Sequence, residues 1–156
     1  MSDAAAKRAA RAIDALRRSW PVRVGELTLV AIETGAAAEL FESGRIKGIL
    51  LSSARAATLK LANQFAAADT QLPVLIAPPS DLNASLALAI ADPSLDLRFP
   101  YKGPFAALPL DQTEAAKVAM ELAREAGLLP AFLWGKVDAD AEFAPSDLEA
   151  FQNADN

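Results

Sequence analysis

The sequence predicts an α/β (α+β) fold, a layered helix–sheet–helix sandwich around one mixed or mostly parallel sheet. Three observations carry this. Short apolar segments alternate along the chain with longer segments whose apolar residues recur at helical spacing. A length of 156 residues with 53% hydrophobic residues is enough for one buried core. Pro73–Ala77 is wholly apolar, the pattern of a strand covered on both faces.

In chain order, Asp3 to Arg18 reads as a helix rich in Ala, Leu and Arg. Ala9, Ile13, Leu16 and Trp20 fall on one helical face, which places Trp20, like Trp134, in the core. Pro21 stops this helix. Pro21 to Glu33 is extended, with Val22 and Val24 alternating with Arg23, a turn at Gly25-Glu26, and Leu27, Leu29 and Ala31 sharing a face. A helix is expected from Gly35 to Ser43, capped by Thr34 and stopped by Gly44. Ile46–Leu51 is a strand, and Ser52 or Ser53 caps a helix running to Asn63. Asp81 opens the next helix, which ends before Pro93.

The stretch 92–110, with Pro93, Pro100, Gly103, Pro104 and Pro109, is a long connection, a place where function often sits. Asp111-Gln112-Thr113-Glu114 has capping-box spacing, with Asp111 as cap. Its helix runs to Ala126 and stops at Gly127, and Pro130 to Val137 is the last expected strand. The domain therefore covers 1–137. Residues 138–156 form an acidic, mobile linker and a short C-terminal helix that opens with a second capping box, Ser146-Asp147-Leu148-Glu149, before a frayed tail.

Composition excludes several chemistries. The chain has no Cys, so it has no disulfide, thiolate zinc site or cysteine nucleophile. It has no His, which removes the Ser-His-Asp triad and imidazole ligands. Any metal would rest on carboxylates, carbonyls and water, as Mg²⁺ or Ca²⁺ can. A net charge of −5 without a long basic run argues against nucleic acid. The start does not read as a signal peptide, and no run approaches the length of a membrane span; Leu82–Ala91 is too short. A soluble, cytoplasmic protein is expected. No GxGxxG or GxxxxGK[ST] motif supports a nucleotide site. Glu26, Glu33, Asp92, Asp96, Asp111 and Glu114 could do acid–base work only if brought together, and Lys102 beside Tyr101 could meet an anion.

The order of segments resembles the 3,4-dihydroxy-2-butanone 4-phosphate synthases. The resemblance rests on Ala12-Ile13-Asp14-Ala15-Leu16-Arg17-Arg18 before Pro21-Val22, on Ile90-Ala91-Asp92-Pro93, and on Asp147-Leu148-Glu149-Ala150-Phe151. Its most specific part is Gln112-Thr113-Glu114-Ala115-Ala116 leading to Leu122-Ala123-Arg124-Glu125-Ala126-Gly127-Leu128-Leu129-Pro130-Ala131. That family converts ribulose 5-phosphate, with Mg²⁺, to a precursor of riboflavin.

Several positions depart from the family pattern. The acidic loop that supplies a metal-binding glutamate is missing where Arg23-Val24 runs into Gly25-Glu26-Leu27. Gln112 stands at the position of the ligand histidine, and Lys136 at that of a glutamate. Leu86 and Leu88 occupy the region of a phosphate-holding Arg and Thr. Catalytic residues, metal and cofactor are therefore expected to be absent, leaving Gln112, Thr113, Glu114 and Lys136 as degenerate positions and Glu26 and Glu33 as remnants.

The form lacking the acidic loop is similar to the domain found ahead of GTP cyclohydrolase II in some bacterial riboflavin-biosynthesis proteins. That enzyme's three zinc cysteines are absent here. The resemblance implies a non-catalytic domain with a dimerising or regulatory role, forming a homodimer and attached to or associated with a GTP cyclohydrolase II domain. Two alternatives stand beside it. One is an enzyme of altered sugar-phosphate chemistry on a cluster of Glu26, Glu33, Asp111 and Glu114. The other is a small-ligand sensor with Lys102 and Lys136 as its cations.

Overall fold

The computed structural model describes residues 3–33, 44–59, 72–98, 105–136, 138–139 and 141–148. The expected helix at 35–43, the second half of the helix after Ser53, the part of the connection holding Tyr101 and Lys102, and the tail from Glu149 lie outside the described residues.

Among the described residues the chain runs α1 (Asp3–Arg17), β1 (Val22–Val24), β2 (Leu27–Ala31), β3 (Ile46–Leu51), α2 (Ser53–Thr58), β4 (Val74–Ile76) and α3 (Ala84–Ala91). A 3₁₀ turn at Pro93–Leu95 follows, then β5 (Ala107–Leu108), α4 (Thr113–Ala126), β6 (Ala131–Gly135) and β7 (Ala141–Phe143). The strands form one seven-stranded mixed sheet in the order β5-β4-β3-β6-β2-β1-β7. Among the described strands only β1 and β7 pair in parallel, and the other neighbouring pairs are antiparallel. The mostly parallel alternative is thus corrected. Strand–helix alternation gives parallel pairing only when consecutive strands are joined by crossovers into the same sense. Here β1–β2 is a hairpin, β3 and β4 run in opposite senses, and β6 inserts between β2 and β3.

The period-two alternation of the strands sends apolar side chains to both faces. Leu29, Leu50, Leu75 and Phe132 pack under α1 and α4, together with Ala9, Leu16, Ala119 and Leu122. Val30, Ile49, Leu51, Val74, Ile76 and Leu133 pack on the opposite face under Ala56 of α2 and Ala87 and Ile90 of α3. This is the expected helix–sheet–helix layering.

Two helix ends solve the same problem differently. After α4, the Gly127 N–H donates to Arg124 O and the Leu128 N–H to Ala123 O, with Gly127 at φ 75°. After α1, the Ser19 N–H donates to Leu16 O and the Trp20 N–H to Ala15 O, with Ser19 at φ 60°. Both are Schellman closures, but only glycine adopts the left-handed conformation without steric cost. This turn carries Trp20 off the helix, so the indole is 47% exposed, with the Arg18 guanidinium 5.2 Å from its ring centroid. The core position expected for Trp20 is corrected accordingly. Trp134 packs, half-buried, against the α1–α4 side of the sheet.

The caps also differ from expectation. Asn83, not Asp81, caps α3, accepting from the Leu86 N–H at 2.9 Å. Ser52 caps α2 through the Arg55 N–H at 3.1 Å. Gln112 precedes α4 without a side-chain cap, so the Asp111–Glu114 box does not form. The stretch read as the start of a linker holds β7, whose Phe143 is buried. A helical turn at 145–148 follows. There the Asp147 carboxylate reaches back to the Ala144 N–H at 3.0 Å with Pro145 in the first position, so the box starts before Ser146. The sequence hides β7 because it is three residues long and acidic in its centre.

Candidate functional site

Most of the degenerate and remnant positions lie toward one end of the sheet. Val24 pairs with Leu27, so Gly25-Glu26 is a two-residue hairpin turn. Gly25 at φ +60° permits it, and a Cβ there would stand 3.0 Å from the Ala115 Cβ. The turn is therefore pressed against the start of α4, so Glu26 and the first turn of α4 lie toward the same end of the sheet. β6 runs antiparallel to β2 with Trp134 opposite Leu29, so Lys136 emerges at this same end. Its backbone N–H donates to Arg45 O at 3.1 Å.

Glu26, Glu114 and Lys136 are exposed, and Gln112 and Thr113 are half-buried. Asp111 is an exposed acid before α4. Glu114 sits in the first turn of α4, where a carboxylate is favoured by the unpaired N–H groups and the helix dipole.

Glu33 is not part of this group. It follows the far end of β2, about 20 Å away along a strand rising ~3.4 Å per residue. There its carboxylate accepts the Leu129 N–H, tying β2 to the loop that leads into β6. The carboxylate cluster of Glu26, Glu33, Asp111 and Glu114 is therefore not assembled. Leu86 and Leu88 flank the core under α3.

The Mg²⁺ that the resemblance implies can be tested against these donors. Mg²⁺ takes hard oxygen ligands in near-octahedral geometry. The sheet end offers exposed carboxylates at Glu26 and Glu114, an amide at Gln112 and an ammonium at Lys136, and the last repels a cation. Among the described residues no group of three or more potential ligand side chains comes together. The donor set does not fit.

Two arginine–aspartate pairs are what sequence reasoning missed. Arg55, 5% exposed at its side chain, donates from Nη1 and Nη2 to both oxygens of Asp96 at 2.8 and 2.7 Å. Its Nε donates to Ile90 O at 2.7 Å and its Nη2 to Ala89 O at 3.1 Å. A single guanidinium thus closes the C-terminus of α3 and fastens the following 3₁₀ turn to α2.

Arg8 of α1 grips Asp147 through Nε and Nη2 at 2.8 and 2.7 Å. That hydrogen bond, with help from the Ala144 N–H, holds the Asp147 carboxyl below its usual range even though burial pushes the other way. This pair borders a recess of about 510 Å³ that also takes in Arg23 and Glu142, cross-strand partners of opposite charge. The recess is therefore charge-balanced. No local signal announces either pair, since the partners are 41 and 139 residues apart.

Among the described residues no helix is long and apolar enough to cross a membrane. No protein-family model matches the chain, and no curated protein is significantly similar to it.

Proposed function

We propose that this chain is a non-catalytic domain of the butanone-phosphate-synthase kind, serving riboflavin biosynthesis by dimerising or regulating an attached or associated GTP cyclohydrolase II. One observation carries the reading. The sheet end toward which Glu26, Gln112, Glu114 and Lys136 lie carries an amide and an ammonium alongside exposed acids, while the surrounding scaffold is closely packed. Enolising a sugar phosphate needs a base and a stabiliser for the developing enediolate. A Lys136 ammonium among solvated side chains supplies no metal-bound electrophile, and function follows the site rather than the scaffold.

The test is incubation with ribulose 5-phosphate and Mg²⁺, with formate release as the readout. The proposal expects no formate above the protein-free control. Sustained turnover that is abolished by Glu26→Gln or Glu114→Gln would establish the altered-enzyme reading instead.

A further inference from the structure

Charge is unevenly placed along the chain. Asp3–Arg18 holds five of the fifteen cationic side chains and only two of the twenty acidic ones, in a protein of net charge −5. Arg8 turns inward to Asp147, and the exposed Arg17 donates from Nε to Ala126 O at 2.9 Å. Lys7, Arg11, Asp14 and Arg18 follow one another at spacings of four, three and four residues, so they share the outer face of α1. All four are exposed, and so is the small Ala10 between them. Arg18 Nε holds both oxygens of Asp14, at 3.1 and 3.0 Å. Among the described residues no ion pair engages Lys7 or Arg11.

Helix stability does not account for those two cations. The helix dipole favours positive charge in the last turn, where Arg17 sits, whereas Lys7 and Arg11 stand before it. The neighbouring α4 carries an ordinary mixture, with Glu114, Glu121 and Glu125 against Lys117 and Arg124. At the end of the cationic face the left-handed turn at Ser19 delivers Trp20 to solvent under the Arg18 guanidinium. A non-glycine residue holds that conformation at a steric cost. Trp20 is one of two large apolar side chains exposed among the described residues. Tryptophan and arginine side by side are the residues that carry most binding energy at protein interfaces.

We infer that the outer face of α1 docks an acidic segment of a partner protein, with carboxylates on Lys7 and Arg11 and an apolar side chain on the Trp20 ring. Charge complementarity selects this occupant. An anionic bilayer or a nucleic acid presents a wide negative surface, which the acidic remainder of this chain repels. The apolar face of α1, with Ala9, Ala12 and Leu16, is buried in the core and cannot enter a bilayer. A short acidic segment engages the cationic face alone. The inference goes beyond the synthase-like reading and does not depend on it.

The test is fluorescence anisotropy of a dye-labelled, capped Ala–Glu–Leu peptide of α1's length, with Glu along one helix face, titrated with the full chain. Wild type is expected to bind it, more weakly as salt rises, and to lose the analogue with Gln in place of Glu. Lys7→Glu with Arg11→Glu should weaken binding by about tenfold or more. Trp20→Ala should weaken it by about fivefold or more. Lys117→Glu with Arg124→Glu changes the net charge equally on α4 and should leave binding within about twofold of wild type. Circular dichroism confirms that each variant folds. A wild type that ignores the peptide at millimolar concentration would overturn the proposal. So would equal weakening by the α1 and α4 pairs, or equal binding of the Gln analogue. Tighter binding to phosphatidylglycerol vesicles or to oligothymidylate than to the peptide would overturn the choice of occupant.

Discussion

The pocket of charge around Arg55 and the sheet end around Lys136 use the same kinds of side chain to opposite ends. Arg55 is buried, and its guanidinium makes four hydrogen bonds to Asp96 and the carbonyls of α3. Lys136, Glu26 and Glu114 stand in solvent toward one end of the sheet. Desolvated charge is costly and persists only where it is paired and hydrogen-bonded. Active sites accept that cost to hold perturbed groups ready for chemistry. Here the cost is met at Arg55–Asp96 and at Arg8–Asp147, where the return is mechanical. One pair joins α2, α3 and the 3₁₀ turn, and the other fastens the start of α1 to the turn at 145–148. The position that the resemblance would make catalytic contains no comparable investment.

The sharpest way to break this contrast is Arg55→Ala. It strands Asp96 and uncaps α3, and urea unfolding should show a loss of about 3 kcal/mol. A loss below ~0.5 kcal/mol would mean the pair is incidental. Asp147→Asn comes next, at about 1 kcal/mol, smaller because the Arg8 side chain is 43% exposed. The same variant gives a pH test. The Asp147 carboxyl is lowered when folded, so its stabilisation is fully present above the ordinary carboxylate range and disappears as pH falls through the lowered value. Wild type should therefore lose more stability on acidification than Asp147→Asn; parallel curves would contradict the assignment.

A third variant, Ser19→Gly, should stabilise by about 1 kcal/mol by relieving the left-handed conformation, read as a raised urea midpoint. The smallest effect is expected at the sheet end. Lys136→Glu should alter stability by less than ~0.5 kcal/mol and should not make it depend on Mg²⁺, measured by melting with and without the ion.

The layers of the fold were legible because apolar periodicity reports burial directly. Leu27, Leu29 and Ala31 fall together in one cluster, with Val30 in the other. Strand sense and order were not legible, because they depend on which edges meet. The pairing of β6 between β2 and β3 brings together residues about a hundred positions apart. Trp20 deceived the periodic reading because the helix closes on Ser19, a residue whose type gives no warning of a left-handed turn. The candidate end of the sheet was legible in part. Gln112, Glu114, Glu26 and Lys136 lie toward that end, while Glu33, an equally acidic residue, is occupied at the far end by the Leu129 N–H. Nothing in the residues around Arg55 distinguishes it from a surface arginine; only its distant partner does.

If the proposed reading is right, the sheet end around Lys136 does not hold a divalent cation and a sugar phosphate together. Thermal unfolding in saturating Mg²⁺ plus ribulose 5-phosphate tests it most directly, because any ligand selective for the native state raises the midpoint. The account predicts a midpoint unchanged from buffer alone. A rise of several degrees that requires both ligands and vanishes in Glu26→Gln would contradict it.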